Sequence, residues 1–457
     1  MGNSTFRGGA HPYEGKELSM DEPIRVMEPK TEMVFPMSQH IGAPATPTVA
    51  VGDTVKMGQI IGEASGFISA NIVSSVSGTV KKIEPRLTGS GAKATCVVIE
   101  NDGEDTPVEG LGEDRDYTTL SKEEIRQIIK DAGIVGMGGA GFPTNVKVTP
   151  KNEEEIEYVI INGAECEPYL TSDYRLMLER PEDLVMGLKV LLQLFDNAEG
   201  IIAIEDNKPE AIAKLQYLTQ EEPKITVKPL KTKYPQGGER MLIRAVTGRY
   251  LNSRLLPADR GCIVMNVASV LAAYGAISCG RPLTHCIMTV TGDAVSSPCN
   301  LEVPVGTSYA AVLAEAGGFS AEPEKVISGG PMMGTALFSL DIPVTKTASS
   351  ILALRHDPVA LHDASPCIHC GHCLHACPEG LVPQLLSAAA EQEQFDVFEK
   401  YGGMECIECG SCAFVCPAGR HLVQSMRYGK RQTGALIRAR KAAETSNQTA
   451  QKGGAGK

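Results

Sequence analysis

The chain has 457 residues, 42% of them hydrophobic, with 47 glycines, no tryptophan and a formal net charge of −12. That length exceeds one ordinary domain and suggests about three. The acidic balance excludes non-specific nucleic-acid binding, which needs a basic surface.

Residues 1–35 read as a polar, irregular extension around Gly8-Gly9-Ala10-His11-Pro12, without the apolar core of a signal peptide. Over 36–110 short β-branched runs alternate with glycine turns: Thr48 to Asp53, Gln59 to Gly62, Val76 to Val80 and Thr95 to Ile99. This pattern predicts short strands and hairpins, and an acidic, glycine-rich boundary follows over 101–120. Ser121-Lys122-Glu123-Glu124 is a capping box that starts a helix. After it come a glycine-rich loop at 133–141, a buried strand at Tyr158 to Asn162, an amphipathic helix over 182–196 and a second buried strand over 200–205. The alternation makes 121–282 an α/β layer domain. Within it Gly261 to Gly280 carries no charge over the length of a membrane span. Its three glycines and its Asn266, Ser269, Tyr274 and Ser278 instead predict a buried strand followed by a packed helix. Residues 283–340 are mixed, with strand–turn signals at Thr289 to Gly292 and Val303 to Thr307 and a helix over 308–316. Residues 357–430 hold two cysteine groups separated by a helix near 382–400. The basic tail, 431–457, has a Gly, Ala, Ser and Gln content that predicts disorder past about 445.

Six of the 14 cysteines are scattered (Cys96, Cys166, Cys262, Cys279, Cys286, Cys299), which fits a reducing compartment better than a disulfide framework. The other eight form Cys367-x2-Cys370-x2-Cys373-x3-Cys377-Pro378 and Cys406-x2-Cys409-x2-Cys412-x3-Cys416-Pro417. Each is the bacterial ferredoxin run, in which the fourth cysteine ligates the other cluster. The expected ligand sets are Cys367, Cys370, Cys373 and Cys416 for one [4Fe-4S] cluster, and Cys406, Cys409, Cys412 and Cys377 for a second. Gly371 and Gly410 allow the backbone to approach a cluster closely. Zinc is the alternative, kept open by His369, His372 and His375, but zinc sites use paired CxxC or Cys/His mixtures. Two full repeats ending in Cys-Pro favour clusters.

The glycine-rich segment is Gly136-Met137-Gly138-Gly139-Ala140-Gly141-Phe142-Pro143-Thr144-Asn145-Val146-Lys147. No predicted strand precedes it, as an ordinary dinucleotide fingerprint requires. Exposed backbone N–H groups and the Lys147 cation still suit a phosphate, with a plain structural turn as the alternative. This segment resembles the FMN loop of the 51-kDa NADH-binding subunit of respiratory complex I, with Met137 where that family has Arg. Asn162-Gly163-Ala164-Glu165-Cys166-Glu167-Pro168 is similar to its Asn-x-Asp-Glu-x-Glu-Pro, with Ala164 in place of Asp. Gly237-Gly238-Glu239-Arg240 and Met265-Asn266-Val267 resemble two further runs of the family. The module order from about 8 to 430, with a β-rich module first and two ferredoxin runs last, is similar to the RnfC family of the Rnf electron-transport complex.

What this resemblance implies is FMN held by Gly136, Gly138, Gly139, Ala140, Lys147, Asn162, Glu165, Glu239 and Asn266, with NADH lying over the flavin against Phe142 and Glu167. The implied fold is multidomain α/β and α+β: an N-terminal β-rich barrel-sandwich, an α/β flavin-binding domain, a β-grasp (SLBB-like) module and a C-terminal α-helical 2x[4Fe-4S] ferredoxin-like domain. The barrel-sandwich resembles a lipoyl carrier, but Asn71-Ile72-Val73-Ser74-Ser75 holds no lysine to modify. The implied function is a ferredoxin:NAD+ oxidoreductase subunit of an ion-translocating complex, peripheral at the cytoplasmic face of the membrane. It would exchange hydride with NAD(H) and reach ferredoxin through other subunits, some membrane-embedded. A soluble flavin/iron–sulfur reductase, such as the cobalamin reductase of propanediol microcompartments, has a different module order. A cluster-bearing scaffold without flavin chemistry stays open through Ala164. Loss of FMN retention is expected for Lys147→Ala; unchanged flavin content after purification would remove that role.

Overall fold

The computed structural model of the chain describes residues 4–357, 359 and 363–454. Its organising element is a four-stranded parallel sheet with Ile225–Leu230, Glu199–Glu205, Tyr158–Gly163 and Cys262–Asn266 in spatial order. The runs are rich in Val and Ile because both faces are covered by crossover helices. Val159, Ile160, Ile161, Ile202, Ala203 and Ile204 are all fully buried. The winding reverses between Tyr158–Gly163 and Cys262–Asn266, and the carboxyl ends of these two strands meet in register at Asn162 and Asn266. Open α/β sheets bind ligands in the crevice at such a switch point.

The uncharged run divides into a buried strand and the helix Val267–Cys279, capped by the Asn266 side chain. Among the described residues no helix is long and apolar enough to cross a membrane. The capping box forms in both directions, with the Ser121 hydroxyl accepting from Glu124 N and the Glu124 carboxylate accepting from Ser121 N.

Three expectations are corrected. First, residues 1–35 are not an irregular extension. Ile24–Val26 pairs in parallel with Cys299–Pro304 at the edge of a six-stranded sheet, and Glu32–Pro36 pairs with Lys93–Asn101. A strand as short as Ile-Arg-Val has no alternation to read, and its partner is far away in the chain. Upstream of it, Ala10 exchanges backbone hydrogen bonds with Tyr234, and Gly9 N donates to Ala376 O at 2.8 Å. Second, Thr48 to Asp53 is a turn rather than a strand, bent at Gly52 (φ 97°) and closed by Ala50 N donating to the Asp53 carboxylate. Third, the helix near 382–400 is two helices, Pro383–Glu391 and Phe395–Lys400, broken where Glu393 takes φ 56°. The tail begins within one helix, Leu422–Gly454, and the expectation of disorder past about 445 falls on residues whose side chains lie outside the described ones. Its Ala, Arg, Lys and Gln content has high helix propensity, and Met426 and Tyr428 seat its first turns against Leu386, Ala390 and Phe398.

The β-rich module packs a four-stranded and a three-stranded sheet around Met33, Phe35, Ile61, Ile72, Val80 and Val97. Lys346 staples it to its neighbours. This lysine is fully buried, and its Nζ donates to Asn71 O at 2.5 Å and to Gly133 O at 2.7 Å, across a module boundary on each side. Burial pushes its ammonium down to about 7 from the ordinary 10.5. Between those values the unfolded chain holds the proton and the folded chain does not. The contribution to stability is therefore present above the unfolded value and is lost as pH falls through about 7. Lys346→Met should flatten the pH dependence of the unfolding midpoint across that window, a change on the order of a few kcal/mol. Parallel wild-type and variant curves would contradict this.

Candidate active site

A crevice of about 420 Å³ opens at the sheet's switch point. Three parts of the chain wall it: Asn162, Asp173 and Asn266 of the α/β domain; Met333, Ala348 and Ser349 beside the six-stranded sheet; and Ile407 and Cys409 of the cysteine-rich part. The glycine loop sits at its edge as a closed turn, with Gly136 N donating to Phe142 O at 2.8 Å and Met137 N donating to the Ser269 hydroxyl at 2.8 Å. Gly138 needs to be glycine, because its φ is +68°. A Cβ at Gly139 would meet nothing within 4 Å, so this backbone is open to a guest.

Of the expected residues, Gly138, Asn162, Glu165, Glu167, Glu239 and Asn266 line the cavity, whereas Gly136, Gly139, Ala140, Phe142 and Lys147 lie outside its lining. Lys147 Nζ donates to Val264 O at 2.8 Å and stands 3.5 Å from the Glu239 carboxylate, so it touches the cavity wall through Glu239. Asn162 donates to Gly237 O at 2.8 Å. Asn266 caps its helix through Ala268 N at 2.8 Å and turns its amide N–H onto Asp173 at 2.6 Å.

The acidic residues are more engaged than the motif suggested. Glu165 accepts from Asp173 N at 2.8 Å and lies 3.9 Å from Lys16 Nζ. The Glu167 carboxylate accepts from Met332 N at 2.7 Å and Met333 N at 3.0 Å, and burial pushes it above the usual range. Sequence reasoning missed Asp173, whose only signal is a polar helix start at Thr171-Ser172-Asp173. Burial, with the Glu165 charge beside it, pushes its carboxyl up to about 7. The buried amide of Gln236, between the lining residues Pro235 and Gly237, has no hydrogen-bond partner at either atom. Open glycine backbone and convergent polar groups fit a polar, planar-ring nucleotide such as a flavin.

The cysteine loops repeat one geometry. His369 and Glu408 take φ of 54° and 58°, and Gly371 and Gly410 take 79° and 84°. His369 N donates to Cys367 Sγ, and Glu408 N donates to Cys406 Sγ, both at 3.4 Å. The eight thiols surround two cavities. One is lined by Cys367, Cys370, Cys373 and Cys416. The other is lined by Cys377, Cys406, Cys409 and Cys412. Among the described residues no three or more His, Cys, Asp or Glu are gathered as a single ion requires. Four thiols stand around each opening, the number that a cubane cluster takes. Burial pushes the Cys406 thiol up to about 11 and raises Cys377 and Cys409, so metal binding must displace their protons. Cys409 lines the large cavity as well as the second cysteine cavity.

A nucleotide-sized crevice joined through one cysteine to a pair of cluster-shaped cysteine cages defines a modular flavin and iron–sulfur electron-transfer protein. Family models match in that order: the RnfC barrel sandwich hybrid domain over residues 4–104, the Nuo51 FMN-binding domain over 129–275, the SLBB domain over 287–336 and a 4Fe-4S dicluster domain over 366–420. The chain is 45% identical to the C-subunit of the proton-translocating ferredoxin:NAD(+) oxidoreductase complex of Clostridium ljungdahlii, over 93% of each chain. It is 44% identical to the C-subunit of the Na(+)-translocating ferredoxin:NAD(+) oxidoreductase complex of Acetobacterium woodii, over 94% of this chain and 97% of that one. The C-subunit of the ion-translocating oxidoreductase complex of Rhodobacter capsulatus is 40% identical, over 93% of this chain and 82% of that one. The chain belongs to the RnfC family, the C-subunits of the Rnf ion-translocating oxidoreductase complexes.

Proposed function

We propose that this chain exchanges hydride with NAD(H) through FMN and relays single electrons through two [4Fe-4S] clusters, as a peripheral subunit at the cytoplasmic face of a membrane complex. The observation that carries the reading is Cys409, shared by the crevice and one cysteine cage. FMN, when bound, accepts two electrons as hydride and releases them singly, which is the conversion needed between a nicotinamide and iron–sulfur centres. The chain's own residues would do the rest. Gly136, Gly138, Gly139, Ala140 and Lys147 would hold the phosphate side, and Asn162, Glu165, Glu239 and Asn266 the ring side. Phe142 and Glu167 would border the nicotinamide. The apolar side chains of Met333, Ile287 and Ile407 would border the space between them. The cage of Cys377, Cys406, Cys409 and Cys412 would take electrons first, and that of Cys367, Cys370, Cys373 and Cys416 would pass them on. Cys370 is exposed, which suits contact with another subunit, through which ferredoxin is reached indirectly.

Quantifying cofactors in the anaerobically reconstituted chain tests this. One FMN released by acid, with about eight iron atoms per chain, supports the reading. Clusters without any flavin would favour the scaffold reading, and zinc in the cages would remove the relay.

A further inference from the structure

One charged side chain joins the cavity wall to both segments of the near cysteine cage, that of Cys377 and the Cys406 group. Arg240 is the second residue of the helix Glu239–Thr247 and lines the large cavity. Its guanidinium reaches the Glu379 carboxylate and the Glu405 carboxylate at 3.2 Å each, and the Glu405 carbonyl at 3.3 Å. Glu379 lies two residues after Cys377, and Glu405 lies immediately before Cys406. One cation thus ties both chain segments that supply the near cage. The tie is protected, because the Glu379 side chain is only 5% exposed. Glu405 is anchored from the other side by Ser253 N at 2.6 Å and the Ser253 hydroxyl at 2.5 Å. A neutral contact runs alongside: the Tyr234 hydroxyl donates to Cys409 O at 2.5 Å.

We propose that Arg240 is the positioning residue for electron transfer between the crevice and the near cage, and that its charge helps set the near cluster's reduction potential. This rests on the reading of FMN in the crevice and a cluster in that cage. Each transfer oxidises the flavin by one electron and reduces the cluster by one. Arginine suits the positioning part because its Nη1 alone meets both carboxylates and the Glu405 carbonyl, a point that the shorter side chain of lysine does not reach. Losing the cation leaves Glu379 buried without its partner and removes one positive charge from beside the cage. The loss of that positive charge disfavours the reduced cluster and lowers its potential.

The test uses the full chain, reconstituted anaerobically, with flavin content and both cluster signals measured first. The flavin is photoreduced with a sacrificial donor, so NADH binding plays no part. Cluster reduction is then followed by freeze-quench EPR and the potential by redox titration. Arg240→Gln is expected to slow transfer by about tenfold or more and to lower the near cluster's potential, leaving the other cluster's potential in place. Arg240→Lys should keep the potential and still slow transfer; if Arg240→Gln loses its near cluster, this variant carries the test. A fully loaded Arg240→Gln chain with wild-type rate and potential overturns the inference alone. A wild-type chain without flavin overturns the functional reading and the inference with it.

Discussion

Cys377→Ala is expected to abolish the cluster of the second cysteine group while the first group keeps its own. The residue is the fourth cysteine of the first run in sequence, yet its thiol lines the cage with Cys406, Cys409 and Cys412. Leu381 N donates to its sulfur at 3.3 Å, which fixes the side chain there. Cys416→Ala should do the converse, because Cys416 lines the cage of Cys367, Cys370 and Cys373. Only the first variant removes the cluster beside the crevice, so only it should cut flavin-to-cluster transfer to background. EPR of the two dithionite-reduced variants reads this directly. If Cys377→Ala instead lost the cluster of its own run, exchange of the fourth ligands would be wrong.

The second large effect is expected at Gly237. A Cβ there would lie 2.2 Å from Ala164 O and 3.3 Å from Cys166 Sγ. The peptide cannot retreat, because Gly237 N donates to Cys166 Sγ at 3.2 Å and Gly237 O accepts from Asn162 at 2.8 Å. Gly237→Ala should therefore push Asn162 and Ala164 out of place and reduce flavin retention by more than about tenfold, a loss of at least ~1.4 kcal/mol of binding, with both clusters kept. Gly139→Ala is the companion, since its Cβ would meet no protein atom within 4 Å. Flavin loss in that variant, with an unchanged unfolding midpoint, would report contact with the guest and not a damaged fold. Full flavin occupancy in Gly237→Ala would show that the crevice is not the flavin site.

The parts of this molecule that were legible in the sequence are those with local rules. The ferredoxin runs repeat at fixed spacing, the Ser121 capping box needs only four residues, and the buried strands are short apolar runs between turns. The glycine loop and Asn162-Gly163-Ala164-Glu165 were legible as motifs, and Asn162 and Glu165 do reach the cavity wall. What could not be read depends on contacts between distant segments. Asp173, Tyr234 and Arg240 belong to no spacing pattern, and become notable only when the sheet's switch point faces the cysteine loops. Lys346 looks like any surface lysine until three modules close over it. Ile24–Val26 is a strand only because Cys299–Pro304 offers it an edge. Glu165 and Glu167 show the reverse limit. The motif named them as cofactor contacts, yet both carboxylates also hold protein backbone in place.

The most direct test of the central claim is anaerobic addition of NADH to the reconstituted chain, with the flavin followed by absorbance and the clusters by EPR. A low-potential donor run in parallel establishes that both clusters can be reduced at all. The account predicts that NADH bleaches the flavin and that a cluster signal grows with it, the one lost in Cys377→Ala. A flavin that stays oxidised under NADH, in a chain whose clusters accept electrons from the low-potential donor, would contradict it.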